Sequence, residues 1–139
     1  MRKIFLDTNI LIDVICEDRK NRESSQKILS LHTDDRYRIY ASALSLADLA
    51  YILRKHLGSE GIRQTISELM HVCNILPLSD SDVAKAAHSD SQDFEDSVQI
   101  AIADAKNCDC IITENIRHFK AVSPIPVFSP DEFVAMITG

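Results

Sequence analysis

The stretch Lys3-Ile4-Phe5-Leu6-Asp7-Thr8-Asn9-Ile10-Leu11-Ile12 decides the fold. Its first half is an apolar strand signal that ends on a carboxylate, and after Thr8-Asn9 a second apolar segment begins. In parallel α/β sheets ligands collect in the crevice beyond the carboxyl ends of the strands, so a strand ending on Asp7 delivers an acid to that edge on a rigid element. Asp is also a leading helix N-cap whose charge suits the helix dipole, and the same residue can be read as a cap alone. The remaining elements have to separate these readings.

Strand signals recur at Lys3 to Asp7, Tyr37 to Tyr40, Asn74 to Leu78, Cys110 to Thr113 and Val127 to Phe128, with helical pattern between them. Strands alternating with helices predict a three-layer α/β/α sandwich around a mainly parallel sheet of about five strands. Helical period runs from Ser24 to Leu31 and from Leu44 to Leu57, where Gly58 suits a C-terminal cap. Further helices are expected at Ser59 to Met70, Asp80 to His88 and Phe94 to Lys106, and Ser129-Pro130-Asp131-Glu132 announces a last one. The Ser- and Asp-rich stretch from Asp80 to Asp96 suggests a mobile loop before the Phe94 helix.

With 139 residues, 45% of them hydrophobic, the chain suits one domain over residues 1–139. No apolar run nears the roughly 20 residues that span a bilayer, and Met1-Arg2-Lys3 leads into strand without a signal-peptide pattern, so the expectation is a cytoplasmic protein without membrane contact. Cys16, Cys73, Cys108 and Cys110 form no C-x-x-C pair and lie in or beside apolar segments, which favours buried reduced thiols. Three glycines are too few for a glycine-rich phosphate loop. A net charge of −6 argues against backbone binding through a basic face, but a cation held by gathered carboxylates would invert that field locally.

Such carboxylates are present. Asp48 lies near the start of the helix after the second strand, on the same sheet edge as Asp7, although Ser45-x-x-Asp48 also has the form of a capping box. Asp96 opens a helix apolar or small on most of its circumference and shares a face with Ile100 and Ala103, where a lone carboxylate is costly without a cation. Asp93 and Glu95 point elsewhere on that helical pattern and suit its positive N-terminus, with Glu95 the better auxiliary ligand. Asn115, after the strand Cys110-Ile111-Ile112, either orients a water or metal-bound ligand or closes an Asx turn toward Phe119. Pairs of carboxylates about 4 Å apart would repel by about 4 kcal/mol at an effective dielectric near 20, so something positive belongs among them. Carboxylate oxygens without His or thiolate suit Mg²⁺ or Mn²⁺, and metal-assisted phosphodiester hydrolysis is the chemistry that follows.

Asp7-Thr8-Asn9 after the first strand, Asp48, Asp96 and Thr113-Glu114-Asn115-Ile116-Arg117-His118-Phe119 together resemble the PIN domain, over nearly the whole chain. The resemblance is greatest to the single-domain group of VapC-type toxins, down to Ala43-Leu44-Ser45-Leu46 and Pro124-Ile125-Pro126-Val127. It implies a Mg²⁺- or Mn²⁺-dependent endoribonuclease, a homodimer, with RNA as substrate and a cognate antitoxin as partner. Carried onto this chain, the catalytic set is Asp7, Asp48, Asp96 and Asn115, with metal on Asp7, Asp48, Asp96 and Glu95. Asn9, Thr113, Arg54, Lys55 and Arg117 are assigned to substrate, while a solvated helix face is the alternative for Arg54, Lys55, His56, Arg117, His118 and Lys120. Two departures stand out: Asp48 replaces a commoner Glu, and Asn115 stands where many members carry a fourth Asp, with His118 replacing an acid before the Phe. They motivate a second reading, a weakened PIN-like module that binds nucleic acid or protein. A haloacid-dehalogenase-like phosphatase is disfavoured because Asn9 stands where that group expects a second Asp. Tyr51, one turn beyond Asp48, is either core or a base-stacking residue.

Overall fold

The computed structural model describes residues 2–16 and 18–139. Five parallel strands form one sheet: β1 (Arg2–Leu6), β2 (Tyr37–Ser42), β3 (Asn74–Leu76), β4 (Cys110–Ile112) and β5 (Val127–Phe128), in the order β3-β2-β1-β4-β5. The chain first extends the sheet from β1 toward β3 and then returns to the other side of β1. The β1–β4 seam is therefore the switch point of the topology, where crevices open beyond the strand ends. Ile4, Phe5 and Leu6 pair there with Cys110, Ile111 and Ile112.

The helices among the described residues are α1 (Thr8–Ile15), α2 (Arg22–Ser30), α3 (Ala43–Leu53), α4 (Ser59–Val72), α5 (Asp80–Ala87), α6 (Phe94–Ala105), α7 (Ile116–Val122) and α8 (Pro130–Thr138), and a 3₁₀ turn follows α2. Alternation along the strands divides the core in two. Ile4, Leu6, Ile39, Ala41, Cys110 and Ile112 face α1–α4 and α8 through Ile10, Leu11, Ile28, Leu49, Leu69 and Phe133. Phe5, Tyr40 and Ile111 face the other way, onto Val98, Ile100 and Ile102 of α6 and Phe119 of α7. A parallel sheet needs both faces covered, and each large side chain so buried contributes about 1.5–3 kcal/mol. The expected α/β/α sandwich is the observed architecture.

The differences from the sequence reading are local. The helix expected to reach Leu57 stops at Leu53, and Gly58 caps the start of α4 rather than the end of α3, with φ at −75°. The Asn74 strand ends at Leu76, before Pro77, whose ring removes a ladder donor. Residues Ile116–Val122 are helical, not a turn running to Phe119. Tyr51 is not core: it is 56% exposed, with the Arg54 guanidinium 3.9 Å above its ring. Ser89, Ser91 and Asp93 tie the segment between α5 and α6 together: Ser91 N donates to Ser89 Oγ at 3.1 Å and Asp93 N to Ser91 Oγ at 3.2 Å. Cys73, Cys108 and Cys110 are buried free thiols, pushed up to about 12, 11 and 12 by desolvation, whereas Cys16 is half-buried. Among the described residues no helix is long and apolar enough to cross a membrane.

A polar strut braces the seam from outside the sheet. Asp13 on α1, fully buried, takes Arg19 Nε at 3.0 Å and the Ser25 hydroxyl at 2.9 Å. Arg19 continues to Glu114 at 3.1 Å, and Asn21 Nδ2 donates to the same carboxylate at 2.7 Å. This strut ties the α1–α2 corner to the loop after β4.

Candidate active site

Asp7 follows β1 directly, and its backbone N–H donates to Ile112 O at 3.0 Å, locking it against the end of β4. It is the N-cap of α1. Its Oδ1 accepts from Thr8 N at 2.8 Å, and its Oδ2 accepts the Thr113 hydroxyl at 2.7 Å. The side chain is buried, and desolvation raises its pKa against the lowering effect of the Thr113, Thr8 and Gln99 hydrogen bonds.

Asp96 lies in the first turn of α6, where its N–H donates to the capping carboxylate of Asp93 at 3.0 Å. The helix is buried along Asp96–Ala103, so Asp96 is only 7% exposed. Its Oδ2 has no hydrogen-bond partner, an unusual state for a buried oxygen. Desolvation, then the charges of Asp7 and Asp93, hold this carboxyl up to about 7. Asp93 does not point elsewhere: Asp93, Asp96 and His118 each offer a ligand atom within 4.8 Å of the others.

Asp48 sits half-buried in the second turn of α3. The capping-box reading fails because Ser42 is the N-cap, accepting from Ser45 N at 3.0 Å, so Ser45 is already inside the helix. Asp48 is free to face Glu95 of α6, and the Asp48 carboxyl beside it, together with desolvation, holds Glu95 up to about 7. The charges of Asp7 and Asp93 also act on Glu95. Asp7, Asp48, Glu95 and Asp96 thus come together at the carboxyl edge of the sheet, from three elements far apart in sequence.

The remaining expected residues are placed as follows. Thr113 is fully buried with its hydroxyl turned to Asp7, and it also accepts from Asn115 N at 3.0 Å. Asn115 is exposed, and its side chain makes no cap bond, so the loop is closed by Thr113 rather than by an Asx turn. Asn9 Oδ1 accepts from Glu114 N at 3.3 Å, which joins α1 to that loop. Arg54 and Lys55 lie exposed beyond α3, away from the acids in hydrogen bonding, with Arg54 stacked on Tyr51. Arg117 and His118 border a cavity of about 260 Å³ together with Asp93.

Gln99 escaped the sequence reading. It is 1% exposed, and its Nε2 donates to Ser45 Oγ at 2.6 Å and Thr8 Oγ1 at 3.1 Å, with a longer approach of 3.5 Å to Asp7 Oδ1. Its Oε1 accepts from Ser42 Oγ at 2.6 Å. One amide therefore links α1, β2, α3 and α6 behind the acids. The signal available in sequence was an amide amid the apolar run Val98-Gln99-Ile100-Ala101-Ile102, since a polar residue there has to find buried partners.

The raised carboxyls have a consequence for stability. Native Asp96 and Glu95 keep protons to about pH 7, whereas unfolded chains release them near 3.8 and 4.5. The folded state binds more protons between about pH 4 and 7, so this contribution to stability is lost as pH rises through that window. In metal-free buffer the melting temperature is expected to fall from pH 5 to pH 8 by calorimetry. A steady rise across that range would contradict the carboxylate cluster.

Residues 3–117 match the PIN domain family model, and the chain belongs to that family. It is 24% identical over 137 residues to a protein named Ribonuclease VapC1 of Aquifex aeolicus, covering 94% of this chain and 92% of the relative. Among solved structures, DNA-bound VapBC of Salmonella typhimurium matches with a TM-score of 0.70 at 18% identity, over 94% of this chain and 99% of that one. The sarcin–ricin-loop-cleaving toxin VapC20 of Mycobacterium tuberculosis matches with a TM-score of 0.62 at 15% identity, over 78% and 86% of the two chains.

Proposed function

We propose that this protein is a metal-dependent endoribonuclease and the toxin of a toxin–antitoxin pair, cytoplasmic, built as one domain over 1–139 and working as a homodimer. The observation that carries the reading is the convergence of Asp7, Asp48, Glu95 and Asp96 at the β1–β4 switch point of a PIN-family chain. The ribonuclease relative and the toxin–antitoxin structures support the substrate class and the antitoxin partner. The weakened-module reading is not favoured, because Asp48 meets Glu95 despite being a methylene shorter than Glu.

The donor set fits a hard divalent cation, Mg²⁺ or Mn²⁺: oxygens dominate, and Asp96 Oδ2 is buried without a partner of its own. Asp7, Asp48 and Asp96 would hold it, with Glu95 as auxiliary. When bound, such a cation neutralises the acids and supplies positive charge for phosphoryl oxygens. The chain supplies the rest. Thr113 fixes the orientation of Asp7, and Glu95, poised near neutrality, can hold or release a proton at the water-facing rim. Arg117 lies beside Asp93 at the rim cavity, and Arg54 with Lys55 extends a basic, aromatic-backed surface past Asp48; these are the proposed phosphate contacts. Asn115, exposed after β4, is the proposed water-orienting group, and Asn9 supports that loop from α1.

The test is cleavage of a mixed pool of structured and single-stranded RNAs with Mn²⁺. Specific fragments are expected that vanish with EDTA and with Asp7→Asn. Cleavage undiminished by either would refute the assignment, and an uncut pool despite Mn²⁺ binding would return the binding-module reading.

A further inference from the structure

The geometry points to a nitrogen-containing transition-metal site formed by Asp93, Asp96 and His118, at the edge of the acid cluster. It shares Asp96 with the proposed catalytic set but does not depend on RNA being the substrate. His118 Nδ1 faces Asp96 Oδ2 at 3.8 Å, beyond hydrogen-bond range. That oxygen is the buried one with no partner, on a side chain nine-tenths buried and aimed into the cluster. Two ligand atoms about 2.1 Å from one ion lie about 3–4 Å apart, so the observed gap is the spacing of two atoms that share an ion. All three ligand atoms lie within 4.8 Å of one another, and the His118 side chain, 60% exposed on α7, has freedom to close the remainder.

Two fixed carboxylates and one imidazole are a donor set that discriminates among cations. Asp93 is anchored because its Oδ1 caps α6 through Asp96 N at 3.0 Å, which leaves its other oxygen for a ligand. Mg²⁺ gains little from a nitrogen, whereas the imidazole draws Co²⁺, Ni²⁺ or Zn²⁺ in the usual order of divalent affinities. His118 therefore lets this corner hold a transition metal that an all-oxygen site would not prefer.

The probes are Zn²⁺ and Co²⁺, each alone, with Mg²⁺ as comparison. Zn²⁺ titration followed by NMR of histidine side chains is expected to shift the His118 imidazole, assigned by its loss in His118→Ala. Calorimetry is expected to show Co²⁺ affinity falling at least 10-fold in His118→Ala while Mg²⁺ affinity is unchanged. Because His118 is exposed, the variant should fold, and its melting temperature checks this. An unmoved His118 signal under saturating Zn²⁺, or equal Co²⁺ affinity in both proteins, would overturn the site. Neither readout measures RNA cleavage, so its failure is separable from failure of the nuclease reading.

Discussion

Asp96→Asn is expected to abolish RNA cleavage and to raise the melting temperature of the metal-free protein. Both effects come from one carboxylate. In the native state Asp96 is buried beside the charges of Asp7 and Asp93, which is why its carboxyl is held up to about 7. Above neutral pH the ionised form is an uncompensated charge in a dry place, and replacing it with a neutral isostere removes that cost. The new amide has to find acceptors, which Asp93 and Asp7 supply in part, so the net gain is about 1–2 kcal/mol, or a rise in Tm of about 5 °C. Cleavage should fall by about 10³-fold or more, since an amide is a poor substitute for an anionic ligand. Calorimetry at pH 8 in EDTA and an RNA cleavage assay in Mn²⁺ check the pair of effects. A variant less stable than wild type with cleavage intact would remove Asp96 from the site. Stability exchanged for function in this way is what a cluster of like charges entails.

The same cluster shows where sequence reading succeeds. Asp7 was legible because strand period is short and a carboxylate ending an apolar run has few structural excuses. Asp96 was legible because the residues that follow it, Ser97, Val98 and Ile100-Ala101-Ile102-Ala103, cannot all face water. Asp48 was legible in place but ambiguous in role: Ser45-x-x-Asp48 imitates a capping box, while β2 in fact runs to Ser42, which caps the helix three residues before Ser45. A cap displaced by three residues, from Ser42 to Ser45, was enough to create a false box. Gly58 was misread for a similar reason, since α3 ends early and the loop that follows leads straight into α4. Asp93 and His118 were not legible together. Helical period assigns Asp93 to a different face, but an N-cap residue lies outside that period, and its side chain folds back over the first turn.

Gln99→Leu should cost both stability and rate, which distinguishes a positioning residue from ordinary core. Leucine keeps the volume but removes the acceptor for Ser42 Oγ and the donors to Ser45 Oγ and Thr8 Oγ1. Ser42 and Ser45 can still bond each other at 3.2 Å, and Thr8 keeps Ser45 at 2.8 Å, so the hydroxyls are not all orphaned. The loss of stability should be about 2 kcal/mol rather than the sum of three broken bonds. Asp7 would retain Thr113 and Thr8 N but lose the brace between α1 and α6 behind it. A carboxylate released to sample several orientations is a weaker ligand, and a fall in kcat of about 10-fold is expected, with KM for RNA little changed. Chemical denaturation and steady-state cleavage at saturating Mn²⁺ measure the two quantities. Lost stability with an unchanged kcat would make Gln99 packing alone. This residue shows why the site exceeded what its sequence disclosed: Gln99 bonds to partners on three other elements, 54 to 91 residues away in the chain, which no local pattern could connect.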